Sequence, residues 1–156
     1  MRCSTIDTPI GKLTLVTTGK GLSALSFGAR IPPDGIVDEQ ANRVYVDQLS
    51  EYFAGKRKKF DFPLDLSGTD FQLSVWRALL KIPYGETRTY GEIARSLGKP
   101  GAARAVGMAN HDNPVAVVVP CHRVVGHDGS LTGYAGGLHL KQALLSLEQQ
   151  GRTLFT

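Results

Sequence analysis

Between residues 89 and 110 the chain carries an order of signals that admits few folds. Thr89 is followed three residues later by Glu92, then by apolar Ile93, Ala94 and Leu97, then by Gly98 and the turn Lys99-Pro100-Gly101. A threonine that accepts from the backbone at its third neighbour, with a glutamate reaching back, opens a helix as a capping box. Gly98 closes that helix, because glycine takes the left-handed conformation at little cost. Ala102 to Asn110 then reads as a second short helix, so helix, tight turn and helix follow as in a helix-turn-helix unit. The second helix carries Ala102, Ala103, Ala105, Gly107 and Ala109. So little side-chain bulk allows close approach to something narrow, though close helix packing explains it equally well.

The elements on either side follow from the same reasoning. Upstream, Thr69 and Gln72 form another capping box, with Phe71, Val75 and Leu79 on one stripe. Ser67-Gly68 is read as the linker, dividing the chain into 1–68 and 69–156. In the first part, Leu13 and Leu15 alternate with more polar neighbours, Gly19-Lys20-Gly21 turns the chain, and Leu25 and Phe27 resume the alternation, which predicts a hairpin. Tyr45, Leu49, Tyr52 and Phe53 are spaced as a helix ending near Gly55, and Phe60, Phe62, Leu64 and Leu66 alternate as a strand. Lys56-Arg57-Lys58-Lys59 reads as a solvated loop guarding a sheet edge, with phosphate contact as the alternative. Downstream, the run Val115 to Val119 predicts a buried strand that Pro120 terminates, placing Cys121 just past its end. The loop Gly133-Tyr134-Ala135-Gly136-Gly137 precedes a last helix with Leu140, Ala143, Leu144 and Leu147 on one stripe.

At 156 residues the chain fits one domain or two small packed lobes, and 42% hydrophobic against 21% charged residues provides a core. The formal charge is +4, and the second part carries nine basic and six acidic residues against nine and eight in the first. That excess suits a polyanionic partner without requiring one. Two cysteines, Cys3 and Cys121, are too few and too distant for a disulfide framework or a paired-cysteine zinc site. No signal region and no apolar run of membrane-spanning length is present, so a cytoplasmic location without membrane association is expected.

A cysteine next to a histidine at the end of a rigid element is placed for nucleophilic chemistry, which needs the thiolate. Taken alone, Cys121 fits a small buried hydrophobe at least as well. The surrounding segment adds more. Pro120-Cys121-His122-Arg123-Val124-Val125, Asn113-Pro114 before the valine run, Gly133 to Gly137 after it, and upstream Tyr84-Gly85-Glu86-Thr87-Arg88-Thr89-Tyr90 and Ala103-Arg104-Ala105-Val106-Gly107 together resemble the O6-alkylguanine-DNA alkyltransferase family. The likeness runs from about Phe71 to Glu148; the first lobe matches only in size and strand pattern.

The resemblance implies an α+β fold: a small N-terminal ribonuclease-H-like α/β lobe, then a C-terminal winged helix-turn-helix-like alkyltransferase domain. It implies irreversible, stoichiometric transfer of an alkyl group from O6-alkylguanine, and from O4-alkylthymine, in duplex DNA to Cys121 after the nucleotide is flipped out through the minor groove. His122 would be linked to the cysteine through a water and oriented by Glu148. Tyr90 would donate to the leaving guanine, and Asn113 would fix the hinge beside the nucleophile. Arg104 would fill the gap left by the flipped base, with Ala102, Ala103, Ala105, Gly107 and Arg123 also at the DNA. Tyr134, Ala135, Gly136 and Val124 would wall the base pocket. Ala135 stands where some relatives carry a hydroxyl, so that side-chain hydrogen bond is absent. No cofactor is implied, because the lesion supplies the alkyl group. Some relatives hold zinc in the first lobe, but that lobe here has Cys3 and no histidine, so no metal is expected. The partner would be duplex DNA, met by a monomer able to bind side by side with other copies, with no obligate protein partner.

Two other readings compete. A DNA-binding module without transfer would leave Cys121 incidental. A cysteine hydrolase using Cys121 and His122 would need an oxyanion hole and no Arg104.

Overall fold

The alternation near the N-terminus produces a meander of β1 (Arg2–Thr8), β2 (Gly11–Thr18) and β3 (Gly21–Phe27) in the computed structural model, which describes residues 1–134 and 136–150. With β4 (Ile36–Val37), pairing parallel to β1, they form a sheet in the order β3-β2-β1-β4. Helix α1 (Arg43–Phe53) follows. Leu13, Leu15, Leu22 and Leu25 of the sheet join Leu49, Tyr52 and Phe53 of α1 in the core, all nearly inaccessible to solvent.

The strand expected over Phe60 to Leu66 does not form. Only Leu64 bridges Leu22, with the Leu22 amide donating to the Pro63 carbonyl and the Asp65 amide to Leu22. Pro63 has no amide to extend a ladder. Phe60 and Phe62 pack as aromatic partners instead, 5.4 Å from Tyr52 and 4.7 Å from Tyr45 respectively between ring centroids. Gly21 explains how close this segment comes: a Cβ there would sit 2.5 Å from the Pro63 oxygen, and its φ is +145°.

The second part is helical. Both expected capping boxes are present, starting α2 (Asp70–Leu79) at Thr69 and α3 (Tyr90–Ser96) at Thr89. Helix α4 (Ala103–His111) packs on α2 and α3, and the Trp76 indole donates to the Ala109 carbonyl at 2.8 Å. The two-residue strands β5 (Arg88–Thr89) and β6 (Val124–Val125) pair in parallel, and α5 (Leu138–Gln150) closes the described chain. None of the described helices is long and apolar enough to cross a membrane.

The valine run is buried as expected but is not a strand. Val115 alone bridges Leu25 on the outer edge of β3, and Ala116 to Val118 then turn. Val117 has φ +71°, and the Val118 amide donates to the Ala116 carbonyl at 2.8 Å. That is a γ-turn of the strained, positive-φ kind. A valine there costs about 1–3 kcal/mol and persists only because its surroundings over-determine it. Val115, Val117 and Val119 are each fully buried, so composition signalled burial while backbone geometry went its own way. The consequence is positional: β3 anchors the turn, and the turn delivers residues 121–123 to the junction of the two halves as one turn of 3-10 helix.

Candidate active site

Cys121, His122 and Arg123 occupy that 3-10 turn, and all three are buried. Asn113 and Asn110 fix the loop around it. The Asn113 side chain accepts from the Val115 amide at 2.9 Å, closing an Asx turn, and donates to the Val119 carbonyl at 2.7 Å. The Asn110 amide reaches the Cys121 carbonyl at 3.4 Å.

Behind the cysteine lies a buried polar network centred on Glu148, whose side chain is wholly inaccessible. His122 Nε2 meets Glu148 Oε2 at 2.7 Å. Arg123 Nε donates to Glu148 Oε1 at 2.7 Å, its Nη2 to Oε2 at 3.0 Å, and its Nη1 to the Ile82 carbonyl at 2.7 Å. The Tyr52 hydroxyl of α1 donates to Oε2 as well, so a residue of the first lobe completes the cluster.

The electrostatics assign protons. Burial would raise the Glu148 carboxyl, but His122 and Arg123 together outweigh it and hold the group well below the usual carboxylate range. Burial also lowers His122, and the neighbouring carboxylate does not fully reverse this. A neutral imidazole cannot supply positive charge, so Arg123, always protonated, is the counter-ion of Glu148. An ionised carboxylate only accepts, which puts the imidazole proton on Nε2 and leaves Nδ1 a bare acceptor. Nδ1 is buried without a hydrogen-bond partner among the described atoms.

Burial pushes the Cys121 thiol up, against smaller opposing effects from Asn113, the Lys141 charge and Tyr134. The Tyr134 hydroxyl meets no partner in strict hydrogen-bond geometry, although it lies close enough to act on the sulfur; burial and the cysteine push its own proton affinity up. Lys141 of α5 is fully buried, is lowered by that burial, and donates to the Thr132 carbonyl at 2.9 Å. Cys121 is therefore a thiol with a cation near it and an imidazole acceptor on the next residue of the turn, suited to deprotonation during attack rather than before it.

Cys121 opens onto a cavity of about 20 Å³ shared with Phe27, Asn113, Ala116, Gly133 and Tyr134. Among the described residues that volume suits a water and not a purine. Next to it, and sharing His111 and Gly133, lies an open cleft of about 650 Å³ along α4, lined by Tyr90, Ala103, Arg104, Gly107 and Met108 among others. In the cleft wall the Tyr90 and Thr132 hydroxyls hydrogen-bond at 2.8 Å.

The sequence-derived residues sort accordingly. Arg104 and Ala105 are exposed on α4, Ala103 and Gly107 half-exposed, and Ala102 precedes the helix. Gly107 faces the Tyr90 ring, where a Cβ would make only ordinary contact at 3.8 Å. Gly136 packs on Phe27 and Leu140, where a Cβ would sit within 2.8 Å. Ala135 lies outside the described residues. Two expectations are corrected. Arg123 is not available to DNA: it is 7% exposed, and its donors hold Glu148 and Ile82. Val124 is fully buried in β6 and does not line the cavity at Cys121.

Sequence reasoning missed Tyr52, Thr132, Lys141 and the exposed Met108. Lys141 had a signal, because a spacing of seven places it on the same inward face of α5 as Glu148. Tyr52, 96 residues from Glu148, had none. Among the described residues no three His, Cys, Asp or Glu side chains gather as a metal site.

Comparison with known proteins bears on this arrangement. Residues 70–150 match the family model for the 6-O-methylguanine DNA methyltransferase DNA-binding domain, and residues 1–66 that for the ribonuclease-like domain. The chain is 56% identical over 149 residues to a methylated-DNA--protein-cysteine methyltransferase of Mycobacterium tuberculosis, covering 93% of this chain and 90% of that protein. A counterpart from Methanosarcina barkeri is 54% identical over 149 residues, covering 92% and 94%. A crystal structure of Mycobacterium tuberculosis OGT in complex with DNA superposes with a TM-score of 0.93 at 53% identity, covering both chains fully.

Proposed function

The chain belongs to the 6-O-methylguanine DNA methyltransferase family, and from that premise we propose that it repairs DNA by direct reversal, moving the alkyl group of O6-alkylguanine in duplex DNA onto Cys121. The observation that carries this reading is a buried cysteine followed, on the same 3-10 turn, by a buried histidine whose Nε2 is committed to Glu148 and whose Nδ1 is bare. It is the arrangement of a base held ready by a carboxylate.

The step balances as follows. The Cys121 proton passes to His122 Nδ1 through a single water, and the sulfur forms a bond to the alkyl carbon as the carbon–O6 bond breaks. The electron pair stays on guanine, and Tyr90 supplies the base with a proton that the imidazole ultimately replaces, so the thiol proton ends on guanine and the chain ends as a thioether. Glu148 with Arg123 holds the imidazole and offsets the charge it takes up, and Lys141 supplies positive potential at the sulfur. Tyr90 first has to exchange Thr132 for the base. The flipped nucleotide enters from the α4 cleft, with Arg104 taking its place in the duplex.

We read residues 1–68 as the ribonuclease-H-like lobe and 69–156 as the alkyl-transferring domain, working as a cytoplasmic monomer on DNA. O4-alkylthymine belongs to the same substrate class. Because nothing in the site removes a thioether, loss of O6-methylguanine from a duplex in excess should stop at about one lesion per chain. Continued turnover would replace this reading with that of a true catalyst.

A further inference from the structure

On the side of the 3-10 turn away from Cys121, a groove of about 380 Å³ runs between the 58–64 segment and the end of α2. Lys58, Lys59 and Lys81 stand around it, Arg123 lies at its floor, and no acidic side chain lines it. The nearest carboxylates in sequence are already engaged, Asp61 with the Gln48 amide, Asp65 with the Thr18 hydroxyl at 2.6 Å and Glu86 with Arg88 at 3.1 Å. Among the described residues no carboxylate lies within ion-pairing distance of the three lysines. Arg123 has five N–H donors. Three are used by Glu148 and Ile82, which leaves two on a guanidinium that borders the groove.

The rest of the groove is apolar and aromatic. The Tyr84 ring has Lys58 Nζ 5.6 Å and the Arg123 guanidinium 5.8 Å from its centroid, and Leu80, 43% exposed, lies among the lysines. The volume exceeds what a lone phosphate fills and falls within the roughly 300–1,000 Å³ of small-molecule sites. Cations at the rim with a flat apolar wall suit one chemistry, a phosphate joined to a heteroaromatic base.

We propose that this groove is a second ligand site, distinct from the α4 cleft, and that it takes a free nucleoside monophosphate, with its phosphate at Lys58, Lys59 and Lys81 and its base against Tyr84 and Leu80. The proposal does not depend on the alkyl-transfer reading.

Isothermal titration calorimetry of the whole chain at low salt, with AMP, adenosine and inorganic phosphate as separate titrants, tests it. AMP should bind saturably at one site and more tightly than either fragment. The double variant Lys58→Glu/Lys81→Glu should weaken AMP about tenfold or more while keeping its melting temperature and its methyl transfer. Arg104→Ala, in the other cleft, should leave AMP binding unchanged. Inorganic phosphate binding as well as AMP would reduce the groove to a charged surface and overturn the proposal. So would loss of AMP binding in Arg104→Ala with retention in the lysine variant, or no heat from AMP at millimolar concentration.

Discussion

Cys121, His122 and Arg123 leave one turn of helix toward three destinations: the sulfur to the small cavity by Gly133, the imidazole to Glu148, and the guanidinium to Glu148 and the Ile82 carbonyl. Adjacency in sequence could nominate these side chains but not direct them. The resemblance put Arg123 at the DNA, and only the fold reveals that the buried carboxylate needs it. Arg104, by contrast, is exposed on α4 among small side chains. Extruding a nucleotide costs a few kcal/mol that a free base does not incur. Arg104→Ala is therefore expected to slow repair of duplex O6-methylguanine by about tenfold or more, with little change toward free O6-benzylguanine, as single-turnover rates would reveal. Equal losses on both substrates would remove Arg104 from that role.

At the scale of elements, what could be read depended on whether the signal was local. Capping boxes bind a side chain to a backbone three residues away, and both are where Thr69-Gln72 and Thr89-Glu92 placed them. The hairpin of β2 and β3 was legible for the same reason, since its turn residues and alternation lie together. The two misread strands share a cause. Pro63 and the γ-turn at Val117 limit each segment to single bridges on β3, and tertiary packing rather than periodicity buries them. Thr89 links element to site, because its cap begins the helix on which Tyr90 is the first residue. Thr89→Ala should cost about 1 kcal/mol, read as a lower urea midpoint at unchanged slope. Alkyl transfer should slow as well, because Tyr90 loses its fixed start. An unchanged midpoint would mean that packing, not the cap, holds α3.

Across the whole molecule the Glu148 cluster joins the halves: Tyr52 comes from α1, Glu148 from α5, His122 and Arg123 from the turn, and Ile82 from the segment after α2. No pattern in a single sequence could reveal an association across 96 residues. Its folded carboxyl is held below the unfolded value of about 4.3, so it stabilises the chain fully above that pH and progressively less as the pH falls. Glu148→Gln leaves Arg123 buried without a counter-charge, which should cost about 3–5 kcal/mol at neutral pH. It should also flatten the loss of stability that the unaltered chain shows below about pH 5, as urea titrations at several pH values would show. An acid profile identical to that of the unaltered chain would contradict the charge assignment in the cluster.

The whole account turns on Cys121 as the acceptor atom. Intact-mass spectrometry after incubation with duplex O6-methylguanine DNA, followed by peptide mapping, measures this directly. One added methyl group on the peptide containing Cys121, absent in Cys121→Ala while Cys3 stays unmodified, is the expected result. An unshifted mass, or a methyl group on any other residue, would contradict it.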